Sequence, residues 1–134
     1  MLSKGIKDEE KEQVDKALNQ LLTWSYIPEE WQKQDREKFS LHLKQQLDYT
    51  LNELLAAEND DFKKHLNKKK FDFDLYEKLA DLFQQIIDLE TPAHQALLAE
   101  KIIFIYETAQ EESKTFSFDL VQKISATQKY LSNS

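Results

Sequence analysis

The chain has 134 residues, the length of a single domain, and it carries no cysteine, so disulfides, a thiol nucleophile and thiolate metal sites are all excluded. Its one glycine, Gly5, cannot supply the positive-φ turns of a hairpin-rich fold or the phosphate loops of a nucleotide-binding one. A formal charge of -7 disfavours nonspecific binding to nucleic acid or to anionic lipid.

The opening segment, MLSKGIKDEEKEQ, has no apolar core of the kind a secretory signal needs. The longest strictly apolar run is Ile102 to Tyr106, far short of the ~20 residues needed to cross a bilayer. The expectation is a soluble, acidic, cytoplasmic protein with no membrane partner. Residues 1–7 and 132–134 are expected to fray at the ends of one domain, 1–134.

The first helix is expected from Asp8 to Trp24, with Val14, Ala17, Leu18, Leu21 and Leu22 as its apolar stripe. Asp8, Glu9 and Glu10 would stand in its first turn, where carboxylates complement the helix dipole. The stretch SYIPEEW breaks it, and Pro28 suits the first position of the next helix. That second helix reads as one long element from Pro28 to about Glu58. Phe39, Leu43, Leu47, Leu51, Leu54 and Leu55 line one side of it. The same spacing returns at Phe62 and Leu66, but ENDD at 58–61 predicts a break, because Asn and Asp side chains compete for backbone bonds.

The third helix is predicted to open on Asp72 as N-cap. Leu75, Leu79, Leu82, Ile86 and Leu89 form its seam. Thr91 and Pro92 are cap and first position of the fourth. That fourth helix contains the run Ile102, Ile103, Phe104, Ile105 and Tyr106. Three β-branched residues there suggest a strand, yet some twenty residues pass without a turn signal, which favours a helix. Apolar residues around the whole circumference predict a buried central helix over about 92–111. A fifth helix follows from the N-cap Ser117 to about Leu131. The expected fold is all-α: a four- to five-helix, mostly antiparallel bundle around that central helix.

One echo stands out. FDFDLYEKLA at 71–80 and FSFDLVQKIS at 116–125 share Phe, Phe, Asp, Leu and Lys at equal offsets. Each places an aromatic before the cap, Phe71 or Phe116, and an apolar residue at the fourth helical position, Tyr76 or Val121, the pattern of a hydrophobic staple. Two helices that found one capping solution are the simpler account, since a repeat scaffold needs three or more units.

Few residues suggest chemistry. None of His42, His65 and His94 has a Glu three positions before it, so the Glu-x-x-His signature of a di-iron bundle is missing. Glu100 and Glu107 share a face of the fourth helix and could turn inward as ligands or as an acid–base pair. They also fit a wet strip. The expectation is no catalytic residue, no metal and no cofactor. Trp24, Tyr26, Ile27 and Trp31 crowd the first helix break and form a candidate protein-interaction surface, aromatics being enriched in hot spots. Lys63, Lys64, Lys68, Lys69 and Lys70 form a candidate basic contact patch on an otherwise acidic chain. That patch has no arginine and no interleaved aromatic for base stacking, so nucleic acid is a disfavoured partner.

The reading is a non-enzymatic protein-interaction module: an adaptor, an immunity or antitoxin-like partner, or an assembly subunit. Its partner is an unidentified protein, or a second copy in a homodimer. Two alternatives are a metal or small-ligand bundle built on inward carboxylates, and a nucleic-acid accessory protein using the lysine patch.

Overall fold

The computed structural model describes the backbone of residues 2–114 and 116–132 and the side chains of residues 9–114 and 116–131. All regular structure among them is helical. Two compact units emerge, Met1–Phe71 and Asp72–Ser134.

In the first unit, α1 spans Leu2–Thr23 and begins before the expected Asp8. The carboxylates at 8–10 therefore lie beyond its first turn, which holds no acidic residue. Val14, Leu18 and Leu21 are its buried stripe. After four residues outside regular structure, the last of them (Ile27) extended, α2 (Pro28–Glu30) starts on its proline and runs into a π-helical segment, Trp31–Asp35, and then α3 (Arg36–Leu47). The wide π turn closes with the Arg36 N–H donating to the Trp31 carbonyl.

The expected long second helix is a correction. Asp48 turns into the left-handed region (φ 70°) and its N–H donates to Lys44 O, ending α3. Thr50 then opens α4 (Leu51–Ala56) with a complete capping box: Thr50 Oγ1 accepts from Glu53 N at 3.1 Å, and Glu53 Oε1 accepts from Thr50 N at 2.9 Å. A second extended pair, Ala57 and Glu58, precedes α5 (Asn59–Lys68). The expected break near 58 is therefore present, and a second one stands at 48–50. The leucine spacing runs through both because the same apolar side stays inward: Leu43, Leu47, Leu51, Leu54, Phe62 and Leu66 are all buried. α5 ends in a Schellman turn, with Phe71 N donating to Leu66 O and Lys70 N to Asn67 O.

In the second unit, α6 (Phe73–Ile86) opens as expected: Asp72 Oδ1 accepts from Leu75 N at 3.0 Å. A 3-10 turn, Ile87–Leu89, extends it. α7 (Pro92–Ser113) has Thr91 in the extended N-cap conformation and Pro92 at its first position, but the Thr91 side chain makes no cap bond. The β-branched run is helical. It is not buried all round, however, since Ile103 and Phe104 are half-buried and Glu100 and Glu107 are exposed. α7 packs against α6 and against two short helices, α8 (Phe118–Thr127) and α9 (Lys129–Ser132). The predicted fifth helix is thus two helices with a turn at Gln128. Among the described residues, no helix is long and apolar enough to cross a membrane.

Candidate functional site

The aromatic group at the α1–α2 junction divides by burial. Trp31 is fully enclosed and lies edge-on to Phe39, with ring centroids 5.6 Å apart. Tyr26 is half-buried, edge-on to Trp31 and Phe39, and its hydroxyl donates to the Leu21 carbonyl at 2.7 Å. Burial, with the nearby Asp35 charge, raises its phenol well above the ordinary value. Trp24 is half-buried against His42, their rings 4.9 Å apart and nearly perpendicular. Ile27 stands 52% exposed. The four residues are therefore neighbours with different roles: Trp31 is core, Tyr26 and Trp24 seal the junction, and Ile27 faces solvent.

The lysine patch is divided too. Lys69 is tied to Asp48 at 3.3 Å, beside His65, whose Nε2 lies 3.0 Å from the same carboxylate oxygen. Burial pushes the Asp48 carboxyl up, but hydrogen bonds from Lys69 and His65 outweigh it and hold the group below the usual range. Lys70 supplies the left-handed residue (φ 65°) of the Schellman turn. Lys63 is half-buried, while Lys64 and Lys68 are exposed one helical turn apart. Five consecutive-looking charges thus become a structural turn and one short basic strip.

Glu100 and Glu107 both point to solvent, which removes the inward-carboxylate arrangement. Among the described residues, no three His, Cys, Asp or Glu side chains converge as metal ligands. Among the described residues two charged side chains are buried: Glu90 at 4% exposure, and Lys101, which directly precedes the apolar run, at 5%. Burial lowers the Lys101 ammonium below the ordinary lysine value.

Sequence reasoning missed two features. The first is a polar cluster in the second unit. Lys123 Nζ, on α8, lies 3.1 Å from Glu77 and 3.0 Å from Asp81 on α6, and 3.3 Å from Asp119. The second is an exposed aromatic pair. Phe116 and Phe118 are 67% and 77% exposed, yet they stand edge-to-face with centroids 4.9 Å apart. Ser117 between them is pinned from both sides: its N–H donates to Gln110 Oε1 at 3.4 Å, and its hydroxyl accepts from Leu120 N at 3.3 Å. Val121, one turn along α8 from Phe118, is 40% exposed. The echoed residues Phe71 and Tyr76 are buried. The shared motif marked both caps, but nothing in it distinguishes the aromatic that is covered from the one that is left out. Comparison with protein-family models, with curated proteins and with solved structures returns no match to this chain.

Proposed function

We propose that this chain is a non-enzymatic helical protein-interaction module, an adaptor, an immunity or antitoxin-like partner or an assembly subunit, whose main contact surface is the Phe116–Phe118 pair. The observation that carries the reading is the exposure of two edge-to-face phenylalanines on a pinned helix cap. Large aromatics are costly to leave in water, and they supply most of the energy where proteins meet. Holding them edge-to-face before contact lowers the ordering cost of binding. Glu111, Glu112 and Asp119, within five residues of the pair in sequence, are exposed. The surface therefore suits a protein with an apolar pocket and a basic rim.

The test compares the protein with a Phe116→Ser/Phe118→Ser variant as baits in an extract of the source cells. It then measures binding of each bait to the purified captured partner. The reading expects the variant to keep its helical spectrum and to bind at least about tenfold more weakly, the effect of losing about 1.4 kcal/mol at a hot spot. A partner bound equally by both baits would overturn this surface. Sedimentation of the protein alone covers the homodimer: a dimer that the double variant dissolves makes a second copy the partner.

A further inference from the structure

The segment that follows α1 forms one wall of a cavity in the first unit. Trp24, Ser25 and Tyr26 line it with Asp35, the last residue of the π segment, and Lys38 on α3, and its volume is ≈ 310 Å³. The rings of Trp24 and Tyr26 stand 6.3 Å apart and tilt by 52°. They therefore meet at an angle instead of stacking face to face. Both are held from elsewhere: Trp24 against His42, and Tyr26 against Trp31 and Phe39. The Tyr26 hydroxyl is committed to the Leu21 carbonyl, so the ring contributes its π system and not a free donor.

The cavity lining carries one charge of each sign, Asp35 and Lys38. Asp35 places a carboxylate at the cavity and, among the described residues, joins no ion pair. α1 ends beside the cavity at Thr23, with no basic residue in its last turn. The carbonyl end of a 22-residue helix carries the negative pole of its dipole and favours a cation. Lys38 is the one cation that lines the cavity. It stands three residues after Asp35 on the helix, yet the two form no ion pair.

We propose that this cavity binds an organic cation, an alkylammonium or guanidinium group seated against Trp24 and Tyr26 with Asp35 as its counter-charge. Aromatic faces attract such cations through the ring quadrupole, and a carboxylate beside them selects charge over mere bulk. A hydrated metal ion gains little from the two rings, and an anion meets Asp35 and the helix end. Lys38 is the competitor, because its ammonium carries the same charge as the ligand. Two sources share this chemistry: a lysine or arginine side chain of a partner protein, and a small quaternary ammonium compound. The site shares no residue with the Phe116–Phe118 surface, so either can fail without the other.

The experiment follows the indole N–H resonances of the full-length protein by NMR. Trp24 and Trp31 give the two signals, and Trp24→Phe assigns them. The probes are tetramethylammonium, choline, Nα-acetyl-lysine methylamide and Nα-acetyl-arginine methylamide, with 3,3-dimethylbutanol as the uncharged isostere of choline. The expected result is a saturable, millimolar shift of the Trp24 signal with at least one class of cation and none with the alcohol. Asp35→Asn should weaken that binding about fivefold, and Lys38→Ala should strengthen it about twofold, as expected for charges at the edge of a solvated site. Preference for the amino-acid amides assigns the site to a partner's side chain, and preference for choline or tetramethylammonium assigns it to a small molecule. No saturation by any cation, or equal binding of the neutral isostere, overturns the proposal. Binding that is unchanged in Asp35→Asn and Lys38→Ala, with both variants folded, overturns it as well.

Discussion

Tyr106 donates a hydrogen bond to Asp81 at 2.5 Å, joining the middle of α7 to α6 through a phenol that is fully buried. The same carboxylate accepts from Lys123, whose ammonium also lies 5.7 Å from the Tyr106 ring centroid. Three helices thus meet at one oxygen pair. Burial pulls the Lys123 ammonium down, but hydrogen bonds to Asp81 and Glu77 more than offset this and leave it above the ordinary lysine value.

Tyr106→Phe keeps the ring and removes only the hydroxyl, while Asp81 retains Lys123. The expected loss is about 1 kcal/mol, the net worth of a typical intramolecular hydrogen bond. Tyr106→Ala also removes a buried ring and should cost about 3–5 kcal/mol, as for other large aromatic truncations. Urea unfolding of the two variants checks the ratio. A Phe variant as damaged as the Ala variant would contradict it.

All five tyrosines have phenols above the ordinary value, chiefly because of burial. Tyr76 and Tyr130 are pushed up to about 12. A raised folded pKa means that the native protein keeps protons which the unfolded chain releases. The resulting stability is fully present below about pH 10 and is lost as pH rises through the folded values. Absorbance at 295 nm should therefore stay flat past pH 10 and rise together with loss of the helical signal at 222 nm. Five phenols titrating near pH 10 in an intact helical protein would refute this.

Among the described residues, three non-glycine residues take positive φ at helix ends: Asp48, Lys70 and Lys114. Aspartate tolerates that region, whereas a lysine there crowds its Cβ against the backbone. Lys114→Gly should stabilise the protein by about 0.5–1 kcal/mol, since glycine is the usual residue at this position. Thr50→Ala should do the opposite, costing about 1 kcal/mol by removing the capping box. Thermal melts of the two variants should move in opposite directions.

Trp31 and Phe118 illustrate a second contrast. Trp31→Ala opens a hole in the core of the first unit and should cost about 3–5 kcal/mol. Phe116→Ser and Phe118→Ser remove side chains already in water, so each should change stability by no more than about 0.5 kcal/mol. Chemical denaturation of each variant measures both. Large losses from the phenylalanine substitutions would mean that the pair is structural.

Much of this protein was legible in its residues because the deciding interactions are local. Helix content follows from the scarcity of glycine and proline together with sustained apolar spacing. The caps at Asp72 and Ser117 follow from a side chain reaching a backbone N–H three residues on. The break at Asp48 was hidden because the leucine spacing continues across it and the buried side does not change. The capping box Thr50–Glu53 was the available signal. Exposure was not legible, since it depends on what the rest of the chain brings alongside. Phe71 and Phe116 occupy the same place in the same motif, yet one is buried and the other stands in solvent. Trp24 and Trp31 look alike in sequence, and the π turn places Trp31 in the core while the segment between α1 and α2 leaves Trp24 at a cavity. Lys101 directly precedes the most apolar run of the chain, and packing encloses it while Glu100 beside it points to water. Local sequence determined where helices start and what they are made of. Tertiary packing decided which side chains lose water, and with them the surfaces open to a partner.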